Sequence, residues 1–221
     1  MRFRNREQAA VLLASQLAEY KGQSPLVLGV PRGAVPMART IAAALDGELD
    51  IVLVRKLRAP FQPELAIGAI DESGTVLRGR YLDLAEVPDE YLREEIRTQS
   101  EILRRRRTLY TGTRPQSNPE NRIVIIVDDG VATGSSMLAA IRSIRARHPR
   151  KIVVAIGVAP RESLAEIRRE ADEVVCLSAP VDFYAVGQFF EDFSEVTDEM
   201  VVAALGDTRP PPEERHAGTH A

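Results

Sequence analysis

The residues best suited to chemistry lie in one stretch, IVIIVDDGVATGSS at 123–136. An unbroken apolar run ends in two carboxylates, Asp128 and Asp129. Small or hydroxyl-bearing residues follow: Gly130, Ala132, Thr133, Gly134, Ser135 and Ser136. In an open α/β sheet, ligands sit at the carboxyl ends of the strands. A small-residue turn leading into a helix points backbone N–H groups at an anion, and the helix macrodipole favours negative charge there. The turn therefore suits a phosphate, with Thr133, Ser135 and Ser136 adding hydroxyl donors. The carboxylates suit sugar hydroxyls or a cation, and a phosphate beside a diol describes a ribose 5-phosphate. The Gly-Lys-Ser/Thr of nucleoside triphosphatase loops is absent, as is the Gly-x-Gly-x-x-Gly dinucleotide turn. The plainer alternative is a strand that happens to end in two acids before a flexible turn.

The elements that must position this stretch follow from pattern. Ala9, Leu12, Leu13, Leu17 and Tyr20 recur at helical spacing, so a helix is expected over 5–20, capped by Asn5 and stopped by Gly22. LVLGV at 26–30 and IVLV at 51–54 are short apolar runs of the kind buried on both faces of a parallel sheet. Between them, 36–45 reads as a helix with Pro36 in its first turn. LAIGAI at 65–70 and TVL at 75–77 flank a DESG turn and predict a hairpin. Residues 88–110 read as one long charged helix and 112–121 as a loop. Strand IVIIV at 123–127, a helix striped by Met137, Ile141 and Ile144, strand 151–158, helix 161–171 and strand 174–177 complete the alternation. Strand–helix–strand units of this kind predict an α/β fold with a doubly wound parallel sheet. One domain over 1–206 is expected, with an insertion at 78–121 and a C-terminal piece at 178–206. Residues 207–221 contain no aliphatic residue larger than Ala and read as a disordered tail.

Composition narrows the class. At 221 residues, 44% hydrophobic and 28% charged, the chain is within the globular range. A net charge of −3 gives no electrostatic reason to expect a nucleic-acid partner. One cysteine, Cys176, excludes an internal disulfide or a cysteine-based zinc site and points to a cytoplasmic location. Three histidines make a histidine triad or multi-histidine metal centre a poor fit. No apolar run reaches the roughly 20 residues of a membrane helix, so no membrane partner is expected.

On the stretch at 123–136, the chain resembles the type I phosphoribosyltransferases, and the order and spacing of elements extend the likeness over most of 5–205. It looks most like a bacterial group sharing a GVPRG turn, a VRKL strand end and a VGQFFEDF-type segment. The resemblance implies Mg²⁺-dependent transfer of a 5-phosphoribosyl group from phosphoribosyl pyrophosphate to a nitrogenous acceptor. Asp128 and Asp129 match the acid pair that holds the ribose hydroxyls and supports Mg²⁺ bound through the substrate. Gly130 and Ala132–Ser136 match the 5-phosphate loop. Pro31, Arg32 and Gly33 match the pyrophosphate turn, where glycine lets the backbone approach closely and arginine can grip two oxygens. Arg55 and Lys56, read as ending the second strand, match a basic position facing pyrophosphate.

The resemblance also makes the C-terminal stretch a small hood over the acceptor, with Phe183, Tyr184, Phe189 and Phe190 as stacking candidates. A core patch beneath the last helix explains those aromatics equally well. The run Arg104–Arg107 reads first as a solvated helix face with pairs such as Glu101 with Arg105; the alternative is a lid bringing one arginine onto pyrophosphate. Relatives acting on 6-oxopurines usually carry Asp where this chain has Ala132, which argues against hypoxanthine or guanine as acceptor. The likeness leaves a homodimer open. It also leaves a rival class open, a non-enzymatic sensor of phosphoribosyl pyrophosphate or a nucleotide built on the same fold.

Overall fold

The computed structural model describes residues 1–62, 65–78 and 87–206. The expected tail at 207–221 and residues 79–86 of the expected insertion lie outside them. Helix α1 (Arg6–Gln16) begins where the side chain of Asn5 accepts from the Gln8 N–H. It ends sooner than periodicity predicts. The Leu17 N–H is shared between the carbonyls of Leu13 and Ala14 at 3.0 and 3.2 Å, which tightens the chain into a 3-10 turn at Ala18–Tyr20.

Strand β1 (Leu26–Gly29), helix α2 (Ala34–Leu45) and strand β2 (Glu48–Ile51) follow. The second strand therefore lies earlier than the apolar run at 51–54. Its ladder with β1 ends at the pair Gly29–Ile51, because β1 itself ends there. Val52 and Leu53 are buried, one in each core, without belonging to a strand. Their hydrophobicity reports burial and not pairing. Strand β3 (Val54–Arg58) instead opens a separate antiparallel sheet with β4 (Ala66–Asp71) and β5 (Val76–Arg78). The β4–β5 hairpin matches the expectation. Helix α3 (Asp89–Thr111) then packs on this small sheet.

Strand β6 (Ile123–Gly130), helix α4 (Ser135–Arg145), strand β7 (Lys151–Val158), helix α5 (Arg161–Glu170) and strand β8 (Glu173–Ser178) return to the central sheet. Its order is β2-β1-β6-β7-β8, with every pair parallel. Residues alternate across it. Ile125 and Val127 face the core shared with α1, α2 and the last helix, α6 (Asp198–Gly206); Val124 and Ile126 face α4 and α5. Helices on both faces make the sheet doubly wound. No helix among the described residues is long and apolar enough to cross a membrane.

The C-terminal piece is tied down by the N-terminus. Phe3 makes a parallel bridge to Phe190: its N–H donates to the Phe189 carbonyl at 2.7 Å and its carbonyl accepts from Glu191 at 2.8 Å.

Candidate active site

Strand β6 runs three residues past its expected end because β7 continues beside it, pairing Asp128 with Ile156 and Gly130 with Val158. Both acids are thus held on a strand and not in a turn. The alternation that sends Val127 towards α1 sends Asp129 the same way. Its Oδ2 accepts from Arg6 Nε at 2.6 Å, and both side chains are largely buried. The other Arg6 nitrogens reach further: Nη1 donates to the Ser194 carbonyl at 2.7 Å, and the guanidinium lies 3.8 Å from the centre of the Phe193 ring. Burial, with the charge of Asp129 beside it, holds the Asp128 carboxyl well above the usual carboxylate range. The pair thus splits into one carboxylate neutralised by arginine and one that resists ionisation.

Gly33 explains how Asp129 fits. A Cβ there would stand 2.2 Å from Asp129 Oδ2 and 3.2 Å from Arg6 Nε. The turn after β1 and the end of β6 can approach only because this residue has no side chain. Gly130 plays the matching part for the hood, since a Cβ there would lie 2.3 Å from Val186 Cγ1.

The turn after β6 closes on Gly134, whose φ of 78° is left-handed and favours glycine. Thr133 and Ser135 share a hydroxyl contact of 3.1 Å, and the Ala132 carbonyl accepts from Ser163 Oγ at 2.6 Å. Helix α4 starts at Ser135, so Thr133, Ser135 and Ser136 ring its N-terminus.

Beside this turn lies a cavity of about 330 Å³ lined by Pro31, Arg55, Lys56, Arg58, Arg106 and Ser136, among others. Four of these six are cations, and no carboxylate is among its described lining residues. Burial, then the charges of Arg106 and Arg58, push the Arg55 guanidinium below its ordinary pKa, while its Nε donates to Gln99 Oε1 at 2.8 Å. Glu95, which accepts from the Arg58 N–H at 3.1 Å, offsets part of this charge from outside the lining, and the cavity keeps an excess of cations that an anion would relieve. A second cavity of about 570 Å³ adjoins it across Lys56 and Ala66 and includes Thr133 and Ser135.

Several expectations change place. Arg55 and Lys56 reach the cavity from β3 of the small sheet and not from the end of a central strand. Arg32, expected to face an anion, instead forms an ion pair with Glu195, with Asp198 at 3.9 Å from its Nη1. The four consecutive arginines do different things. Arg105 pairs with Glu101 as anticipated, and Arg106 lines the cavity. Arg107 is buried between Asp50 at 2.7 Å and Glu72 at 2.5 Å. A helix turning about 100° per residue separates them.

The stacking candidates mostly resolve as core. Phe189 and Phe190 are 9% and 2% exposed. Phe189 stacks on Phe183 at 5.6 Å, and Phe190 packs on Phe3 at 5.3 Å and Phe193 at 5.0 Å. Their rings already have partners. Tyr184, 89% exposed, is the open aromatic surface of the hood. Sequence patterns pass over Arg6 and Arg58, since an arginine at a helix start or in a short strand carries no local signal of its partner.

Residues 3–193 match the family model described as the phosphoribosyl transferase domain, and the chain belongs to that family. Over 209 residues it is 42% identical to two Mycobacterium tuberculosis proteins, "Putative phosphoribosyl transferase Rv0571c" of strain H37Rv and "Putative phosphoribosyl transferase MT0597" of strain CDC 1551. The match covers 92% of this chain and 46% of each of those proteins, so the chain spans about half the length of these curated relatives. The crystal structure of TT1426 from Thermus thermophilus is similar with a TM-score of 0.84 and 46% identity, covering 93% of this chain and 98% of that one.

Proposed function

We propose that this chain transfers the 5-phosphoribosyl group of phosphoribosyl pyrophosphate to a nitrogenous acceptor and releases pyrophosphate. The observation that carries the reading is the cation-lined cavity beside the N-terminus of α4, with an acid pair on the adjoining strand end. One anion then has the turn at 130–136, a second has Arg55, Lys56, Arg58 and Arg106, and the ribose between them has Asp128 and Asp129.

In this reading the bond from ribose C1 to pyrophosphate loosens while the acceptor nitrogen approaches. Positive charge that develops on the ribose is favoured by the Asp129 carboxylate, Asp128 contributes hydrogen bonds to the ribose hydroxyls, and negative charge on the departing pyrophosphate is favoured by the cationic cavity. Arg32 joins the pyrophosphate only by exchanging Glu195 for it. The donor set also fits Mg²⁺. Mg²⁺ characteristically uses one or two carboxylates plus substrate phosphate oxygens, and two carboxyl groups stand side by side on the end of β6. Asp128 and Asp129 would support such an ion, whose chemistry is to neutralise pyrophosphate charge. The single cysteine accords with work in the cytoplasm.

Ala132 is exposed and offers no side-chain hydrogen bond to a base, so the acceptor in this reading is neither hypoxanthine nor guanine. The test is thermal unfolding with phosphoribosyl pyrophosphate and Mg²⁺, followed by pyrophosphate release across purines, pyrimidines and pyridine carboxylates. Ligand at 100 times its Kd stabilises by about 2.7 kcal/mol. Asp128→Asn with Asp129→Asn should abolish turnover in a chain that still folds, with some stability lost from the Arg6 pair, each such group being worth about 10²–10³ in rate. No melting shift at millimolar ligand would end the binding assignment. Binding without release on any acceptor would favour the sensor.

A further inference from the structure

We infer that Arg6 is a positioning residue for the ribose: it fixes the carboxylate of Asp129 and links it to the hood. The inference rests on the proposed role of Asp129. Arg6 comes from the first turn of α1, a segment with no part in either anion turn, yet it makes three contacts at once. Its Nε holds Asp129 Oδ2 at 2.6 Å, its Nη1 holds the Ser194 carbonyl at 2.7 Å, and its guanidinium lies on the Phe193 ring at 3.8 Å. Planar guanidinium chemistry makes this combination available to arginine and not to lysine, which offers a single point charge.

The contacts over-determine where Asp129 points. Gly33 leaves the room that Oδ2 occupies, since a Cβ there would be 2.2 Å away, and Arg6 holds Oδ2 in that room. With Arg6 on Oδ2, the carboxylate keeps further lone pairs that a ribose hydroxyl can use. A free aspartate would sample several rotamers and lose that freedom on binding; one already held by Arg6 does not. The backbone reinforces the arrangement. Phe3 and Arg4, just before Arg6, hydrogen-bond to Phe189, Glu191 and Asp192 of the hood, which ties the N-terminal segment that carries Arg6 to the hood. Its side chain is 15% exposed, so these contacts are largely shielded from solvent.

The role separates ribose from pyrophosphate binding, because Arg6 is absent from the lining of the cation-rich cavity. The experiment is titration calorimetry on the full chain with two probes, ribose 5-phosphate and inorganic pyrophosphate, each with Mg²⁺. For Arg6→Gln the expected result is roughly tenfold weaker ribose 5-phosphate binding, the upper cost of ordering one side chain, with pyrophosphate affinity unchanged. Arg6→Lys, which keeps the charge and loses the second hydrogen bond, should fall between. Phe193→Leu removes the ring beneath the guanidinium and should give a smaller loss of the same selectivity. Equal losses for both probes, or an unchanged ribose 5-phosphate affinity, would overturn the inference. If the wild-type chain binds neither probe, the proposed function fails rather than the role of Arg6 within it.

Discussion

Replacing Gly33 by Ala sets two opposed effects against each other at one atom. Gly33 has φ −55° and ψ −35°, an ordinary helical conformation that alanine adopts without strain. On the backbone alone the change should stabilise by about 0.4–1 kcal/mol by restricting the unfolded chain. The new Cβ, however, would sit 2.2 Å from Asp129 Oδ2 and 3.1 Å from its Cγ. The carboxylate must rotate away and release Arg6, and a hydrogen bond between charged groups is worth about 1.5–3 kcal/mol. The net expectation is a loss of about 1–2 kcal/mol, or roughly 2–8 °C in melting temperature for a chain of this size. The effect on ligand should be larger than that on stability. A reacting group misplaced by an ångström costs on the order of 10²-fold, so turnover and ribose 5-phosphate affinity should fall far more than the melting temperature implies. Scanning calorimetry and ligand titration on the same preparation decide the matter. A variant that melts higher than wild type and binds ribose 5-phosphate equally well would refute the reasoning, since the backbone gain would then be unopposed.

Six other substitutions have distinct expected outcomes. Lys56→Gln and Arg106→Gln should each weaken inorganic pyrophosphate binding about tenfold or more and flatten its salt dependence, because each removes a charge-assisted contact in the cavity. Arg105→Gln, which loses only an exposed pair one turn along a helix, should leave it unchanged. Arg107→Gln removes the nearer of two arginines from the fully buried Asp50, leaving Arg114 at 3.2 Å, and should cost less at pH 7 than the roughly 3–5 kcal/mol of a buried charge left with no partner. Burial works against the Asp50 anion, but Arg107 and the N–H groups of Ser117 and Ile51 hold its carboxyl below the usual range, whereas burial wins at Glu72 and pushes it up. In the wild type the Asp50 contribution is present above the unfolded carboxyl range and is lost as pH falls through its folded value. Without Arg107 both folded values rise, so the penalty should shrink as pH falls towards about 4, which denaturation midpoints at two pH values will show. Phe190→Ala should cost about 3–5 kcal/mol as a core truncation. Tyr184→Ala should leave stability alone and weaken acceptor binding, read as melting temperature against acceptor KM.

What local pattern determines, the sequence alone determined here. The alternating apolar runs and striped helices specify the central sheet and its windings. The run at 123–127 followed by acids, glycines and hydroxyls specifies a strand end feeding a helix N-terminus, because each of those signals spans only a few neighbouring residues. Even so, apolar runs report burial more directly than pairing. Val52 and Leu53 are buried outside any strand, and the strand that holds Lys56 belongs to a different sheet. Only the tertiary structure decided which groups meet. Arg6 and Asp129 are 123 positions apart, and nothing in either neighbourhood encodes the other. Arg104–Arg107 are chemically identical in sequence, yet helix rotation and the buried acids of β2 and the β4–β5 turn send Arg107 into the protein and Arg106 to the cavity. The hood aromatics are ambiguous for the same reason: a phenylalanine suits a core or a ligand equally, and its partners roughly 5 Å away decide between them. Charge pairing and aromatic packing act through space, so their outcome is set by where the chain returns and not by what stands beside each residue along it.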